Sequence, residues 1–208
     1  MSIDFASWRQ AWQDAGVAQA DEGLHRGVIA CWSEPHRHYH TLQHLRECLE
    51  QFGEAREMAE RPGEVALGLW FHDAFYEARR DDNELRSADW ARSCMLKAGA
   101  NTDAAERVHA LIMQTRHKAA PQGADAQLLV DIDLSILGAP AQRFDESDMQ
   151  VRAEYSHVAD AAYREGRRAI LQGFLARARL YSTDYFHSRL EDRARVNLQR
   201  ALARLGGA

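Results

Sequence analysis

Proline is scarce in this chain, four residues in 208, and β-branched residues are thin among long stretches of Ala, Leu, Arg, Glu and Gln. With few helix breakers and few residues suited to a pleated surface, a sheet-built fold is excluded and helix is expected nearly everywhere. Cysteine is rarer still. Cys31, Cys48 and Cys94 are odd in number, far apart and outside any CxxC. That excludes a disulfide frame or a zinc ribbon and predicts reduced thiols in a cytoplasmic protein. No stretch approaches 18 consecutive apolar residues, so no transmembrane helix is expected. Met1-Ser2-Ile3-Asp4-Phe5 lacks the basic and apolar regions of a secretory signal. The net charge of −5 comes from 26 Lys and Arg against 31 Asp and Glu, with no basic stripe. DNA is therefore not expected as a partner. A small phosphorylated ligand needs only a few local cationic groups and stays compatible. Repeats, low-complexity tracts and composition shifts are also lacking, so a single domain over 1–208 is predicted.

What is present is amphipathic periodicity. Phe5, Trp8, Trp12 and Val17 give an opening helix, and a second runs from about Ala20 to Trp32, stopping before Pro35. A third begins near Tyr39, carries Leu42, Leu45, Leu49 and Phe52, and ends at Gly53. The fourth, about Pro62 to Tyr76, is apolar around much of its circumference, the mark of a central helix. A fifth runs through Ala98, closed by Gly99. Asn101-Thr102-Asp103 offers cap chemistry for a sixth carrying Val108, Leu111 and Ile112. Beyond the loop from Lys118 to Ala124 lies an apolar run, Leu128 to Leu137, broken by two aspartates. Phe144 to Arg164, Arg168 to Tyr181 and Tyr185 to Leu205 complete an all-α bundle of roughly eight to ten helices.

Three stretches carry chemistry. In Trp70-Phe71-His72-Asp73-Ala74-Phe75-Tyr76 a His-Asp pair ends an apolar run. A buried carboxylate needs a partner, and either a structural hydrogen bond or a divalent cation supplies one. In Arg37-His38-Tyr39-His40-Thr41-Leu42-Gln43-His44 the last two histidines are one helical turn apart on one face. His44 adjoins the inward stripe, whereas His36 and His38 read as surface residues. In Asp131-Ile132-Asp133-Leu134-Ser135 two carboxylates interrupt an apolar run. One suits a cation and the other suits a ligating histidine, with helix capping as the plainer explanation.

Histidine, then His-Asp, then a distant aspartate, in an all-helical chain, resembles the HD-domain superfamily of metal-dependent phosphohydrolases. The likeness covers roughly residues 35–140 and is greatest to an uncharacterised bacterial family of predicted phosphohydrolases, with 141–208 as helices packing on that core. It implies His44, His72, Asp73 and Asp133 as metal ligands, Asp133 being favoured over Asp131 by its Asp-Leu-Ser context. The His40–His44 segment resembles that of cyclic-nucleotide phosphodiesterases, which implies His40 as the general acid. The second His-His pair and the Gly-Tyr-Pro motif of the branch that hydrolyses cyclic di-nucleotides are missing, so that activity is not implied. The implied cofactor is one or two divalent ions (Mn, Fe, Co, Ni, Zn or Mg), and the implied reaction is cleavage of a phosphate ester or anhydride in a nucleotide or other small metabolite. A di-iron oxygenase and a non-catalytic, metal-stabilised ligand-binding module are the alternatives. Glu84, for holding a water, and Arg86, for touching a phosphate, follow from a polar stretch similar to one in related enzymes. The same residues also suit an ordinary first helical turn. His117 either serves a helix end or faces the site. Arg152, with Glu154 and Tyr155, suits either a pocket wall or a solvated face. A homodimer is left open.

Overall fold

The computed structural model describes residues 1–206, in which ten α-helices and no strand are found. They divide into two compact units, 1–133 and 134–208.

The first unit holds α1 (Phe5–Asp14), α2 (Glu22–Cys31), α3 (Leu42–Ala55), α4 (Pro62–Phe71), α5 (Asn83–Lys97), α6 (Thr102–Gln114) and α7 (Ala124–Asp133). Short polar side chains start several of them by taking a backbone N–H that the first turn cannot satisfy. Asp4 accepts from Ser7 N, Asp21 from Leu24 N, and Asn101 from Asp103 N. Helix α4 is the axle, packed against α1, α3, α5, α6 and α7. Nine of its ten residues are buried, Gly63 to Phe71, which matches the all-round apolar run of the sequence. Its one buried acid, Glu64, accepts two hydrogen bonds from Arg107 on α6, at 2.8 and 2.6 Å.

Two glycines let this axle be approached closely. A Cβ on Gly68 would lie 2.5 Å from Leu129 Cδ1, so α7 meets α4 at that level. One turn further along each helix stand His72 and Asp133. A Cβ on Gly63 would lie 2.2 Å from Ala15 N and 2.4 Å from Asp14 C. Those are backbone atoms and cannot swing aside. Gly63→Ala is therefore expected to destabilise the protein by about 1–3 kcal/mol or more, read as a lowered urea midpoint at unchanged slope.

In the first unit two boundaries differ most from the sequence reading. Helix α3 starts at Leu42 rather than near Tyr39, because the Thr41 hydroxyl accepts from Gln43 N and ends the run there. His40 consequently sits in the preceding turn, not on the helix with His44. Helix α4 stops at Phe71, five residues before Tyr76, although no proline or glycine ends it. Side chains do so instead, as described below.

The second unit holds a 3₁₀ turn, Leu134–Gly138, then α8 (Ala141–Glu154), α9 (Asp160–Leu175) and α10 (Asp184–Gly206). The helix expected over Phe144 to Arg164 is broken at 155–159. There Arg152 donates to the carbonyls of Tyr155 and Val158, closing α8. The helix expected over Arg168 to Tyr181 ends early, at Leu175. Buried Glu191 accepts from the amides of Leu180 and Tyr181, while Arg195 donates to the carbonyls of Leu175, Arg177 and Ala178. These bonds hold the segment as a loop against α10.

Candidate metal centre

The last carbonyls of an α-helix have no partner inside the helix. At the end of α4 Gly68 O and Phe71 O accept from the amides of His72 and Ala74, and side chains take the other two carbonyls. Trp32 Nε1 donates to Trp70 O at 3.0 Å, and His72 Nδ1 donates to Leu69 O at 2.7 Å. Arg37 donates to Asp73 O at 2.6 Å and to Ala74 O at 2.9 Å, and His36 Nε2 lies 2.8 Å from Tyr76 O. From α5, Ser87 Oγ accepts from Phe75 N, and Asn83 brackets Glu77 by bonding both its N and its O. The chain leaves the helix as a fixed turn. That turn carries His72 and Asp73.

The commitment of His72 Nδ1 decides the chemistry of its other nitrogen. A nitrogen facing a carbonyl carries a hydrogen, so the neutral ring presents Nε2 as a bare lone pair. His72 is fully buried, and its Nε2 lies 3.3 Å from His44 Nε2, 3.3 Å from Asp73 Oδ2 and 3.6 Å from Asp133 Oδ1. His44 Nε2 is 3.2 Å from Asp133 Oδ1 and 3.9 Å from Asp73 Oδ2. Behind it, Tyr39 Oη is 3.3 Å from His44 Nδ1. A phenol both donates and accepts, so Tyr39 satisfies that nitrogen in either tautomer.

Electrostatics show the strain of the arrangement. Burial pushes the His72 imidazolium down, but the carboxylates of Asp73 and Asp133 outweigh it and raise the pKa to about 9. Burial likewise pushes Asp133 up. Hydrogen bonds from His117, His44 and His72 outweigh that and hold its carboxyl well below the usual range. Two carboxylates at 14% and 11% side-chain exposure thus face four imidazoles, those of His40, His44, His72 and His117.

His44, Cys48, His72 and Asp133 form a buried group that could hold a metal ion, with ligating atoms all within 4.8 Å of one another. Cys48, one turn after His44, was not singled out in the sequence. Its sulfur is 3.7 Å from His44 Nδ1 and 3.8 Å from Nε2. Near-equal distances put it beside the ring, off the line of the Nε2 lone pair. Burial, then the charges of Asp133, Asp73 and Glu47, push its thiol well up. Asp73 Oδ2 lies 3.3 Å from His72 Nε2 and 3.9 Å from His44 Nε2.

The other predicted site residues divide. His40 Nε2 lies 3.9 Å from Asp73 Oδ2, with its ring stacked on Tyr76 at 3.8 Å between centroids. His117 adopts a positive φ of 53°, and its Nε2 lies 3.0 Å from Asp133 Oδ2. Left-handed backbone is strained for a non-glycine residue, and here it turns the imidazole onto the carboxylate. Asp131 is fully buried two residues before Asp133 on α7. Two helical residues are about 200° of rotation, so the pair is split between opposite sides of the helix. Glu84 is in the first turn of α5, and Arg86 lies over the Phe75 ring at 4.7 Å. Arg152 belongs to the second unit, where it closes α8 and stacks on Tyr163. Arg37, Trp32 and Tyr76 escaped the sequence reading because they act on backbone or rings and fit no ligand pattern.

Fold and site together define an all-α chain with a buried His/Asp cluster at the end of its central helix. Comparison with family models, with curated proteins and with solved structures returns no match.

Proposed function

We propose that this chain is a metal-dependent phosphohydrolase of the HD-domain type, acting on a phosphate ester or anhydride of a small metabolite. One observation carries the reading. His44 Nε2 and His72 Nε2, 3.3 Å apart, each lie 3.2 to 3.9 Å from oxygens of Asp73 and Asp133, the four residues coming from three distant segments. Donors on one cation at bonds of about 2.0–2.2 Å stand roughly 3.0–3.6 Å apart; four of these five separations fall in that range, and His44–Asp73, at 3.9 Å, must close by a few tenths of an ångström. Charge fits too. Two carboxylates at 14% and 11% side-chain exposure carry two negative charges, which one dication offsets.

A divalent ion held by these four groups supplies Lewis acidity toward water and toward a phosphoryl oxygen. Mixed nitrogen and oxygen donors suit Mn, Fe, Co, Ni or Zn better than Ca. His40 stands at the edge of the cluster, 20% of its side chain exposed. An imidazole there can pass a proton to a leaving oxygen. Its stack on Tyr76 fixes the ring plane. His117 steadies Asp133 through the oxygen that does not face His44.

A phosphate-release screen over nucleotides and sugar phosphates, with added Mn²⁺, Co²⁺ or Ni²⁺, tests the reading. Turnover is expected, and His40→Ala should keep the cation while losing roughly 10²–10⁴-fold in rate. Cation bound with no turnover anywhere in the panel would favour the binding-module alternative. The contact of His117 with Asp133 Oδ2 favours a second reading, the di-iron oxygenase, since that chemistry needs a further imidazole. Oxygen consumption with Fe²⁺ and no phosphate release would select it.

A further inference from the structure

We propose that Arg37 is the positioning residue of this site: its guanidinium sets the distance between Asp73 and His40 by gripping the backbone of both. The inference rests on the reading of Asp73 as a cation ligand. Four independent features carry it. The Arg37 side chain is completely buried. Its Nη1 donates to Asp73 O at 2.6 Å and to His40 O at 3.3 Å, and its Nη2 donates to Ala74 O at 2.9 Å. Nε and Nη2 also donate to Glu34 Oε2 at 2.9 and 2.8 Å, balancing the charge. Finally, the guanidinium lies between the rings of Trp32 and Tyr76, 5.8 Å from each centroid, and Tyr76 is the ring that stacks on His40.

Every polar contact is to main chain or to Glu34, so Arg37 touches neither the candidate ligand atoms nor any reacting group. It acts through geometry. The carbonyls it binds belong to the two residues whose side chains approach at 3.9 Å, His40 Nε2 and Asp73 Oδ2. A planar fork with donors on three nitrogens spans three carbonyls and a carboxylate at once. A lysine ammonium, whose donors share one nitrogen, cannot. Residues that orient a metal ligand from behind commonly change affinity roughly 10–100-fold when replaced.

The test uses Arg37→Lys and Arg37→Ala in the full chain, with Co²⁺ as the probe. Arg37→Lys should remain helical by circular dichroism yet bind Co²⁺ roughly 10–100-fold more weakly, with a shifted visible spectrum. Millimolar guanidinium should restore binding to Arg37→Ala and leave Asp73→Ala without it. Wild-type affinity and spectrum in Arg37→Lys would overturn the proposal. A second measurement needs no cation: deuterium uptake across 69–80 in the metal-free protein should rise in Arg37→Lys while α6 stays protected. Unchanged uptake there overturns the clamp. Should wild-type protein take up no Co²⁺, the cation reading falls, and the exchange result still decides the clamp by itself.

Discussion

Asp133→Asn will abolish cation binding and, in metal-free protein, will cost about 3–5 kcal/mol of stability, the range for removing one partner of a buried charge pair. The carboxylate faces three imidazoles at once, His44 at 3.2 Å, His72 at 3.6 Å and His117 at 3.0 Å. Asparagine keeps the shape, so no cavity opens and packing changes little. What disappears is the charge. His72 is left in a dry site with Asp73 as its remaining anion, and an amide NH₂ meets a ring nitrogen that was donating. Urea melts with and without added Zn²⁺ read both effects. The wild type should gain stability from the cation and the variant should gain none. A variant that melts like the wild type in both conditions would show that Asp133 neither pairs these rings nor binds metal.

The second large effect is a dependence on pH. Folded His72 stays protonated up to about 9, whereas an unfolded histidine loses its proton near 6.5. Between those values the folded state binds a proton that the unfolded state has released, so raising the pH favours unfolding. The contribution is complete below about 6.5 and gone above about 9. A shift of about 2.5 units makes it on the order of 3 kcal/mol. Asp133 works in the opposite sense. Its depressed pKa contributes stability above the usual carboxylate range, and that stability is lost as acid protonates it. Thermal melts of chelator-treated protein should therefore show a plateau between about pH 4 and 6.5 and a decline toward pH 9. Added cation should reverse the alkaline decline, because the proton that competes for His72 Nε2 leaves over that same window. A flat profile in chelator would mean that His72 is not held as an imidazolium.

The sequence made the fold class readable because composition and helical spacing act locally. Helix α4 announced itself through nine apolar or small residues with no polar face. The set His44, His72, Asp73 and Asp133 was named on a resemblance of motif order, since the residues by themselves fitted hydrogen bonding or helix capping as well. Their convergence was beyond local pattern, since it depends on α7 meeting α4 at Gly68. The end of α4 was hidden because Trp32, Arg37 and Ser87 cap it from elsewhere in the chain, and capping backbone requires no recurring spacing. The same holds for the break at 155–159, made by Arg152. His40 was expected on the helix of His44. It reaches the same site from a turn, because Thr41 caps the helix and the first helical residue is Leu42, three beyond Tyr39.

The central claim, that these four side chains hold one cation between them, is tested most directly by elemental analysis after equilibrium dialysis against micromolar Mn²⁺, Co²⁺, Ni²⁺ and Zn²⁺. Wild-type protein should retain about one equivalent or more of at least one of these ions, and folded Asp73→Ala should retain none. Wild-type protein that emerges free of metal, or Asp73→Ala that keeps a full equivalent, contradicts the account.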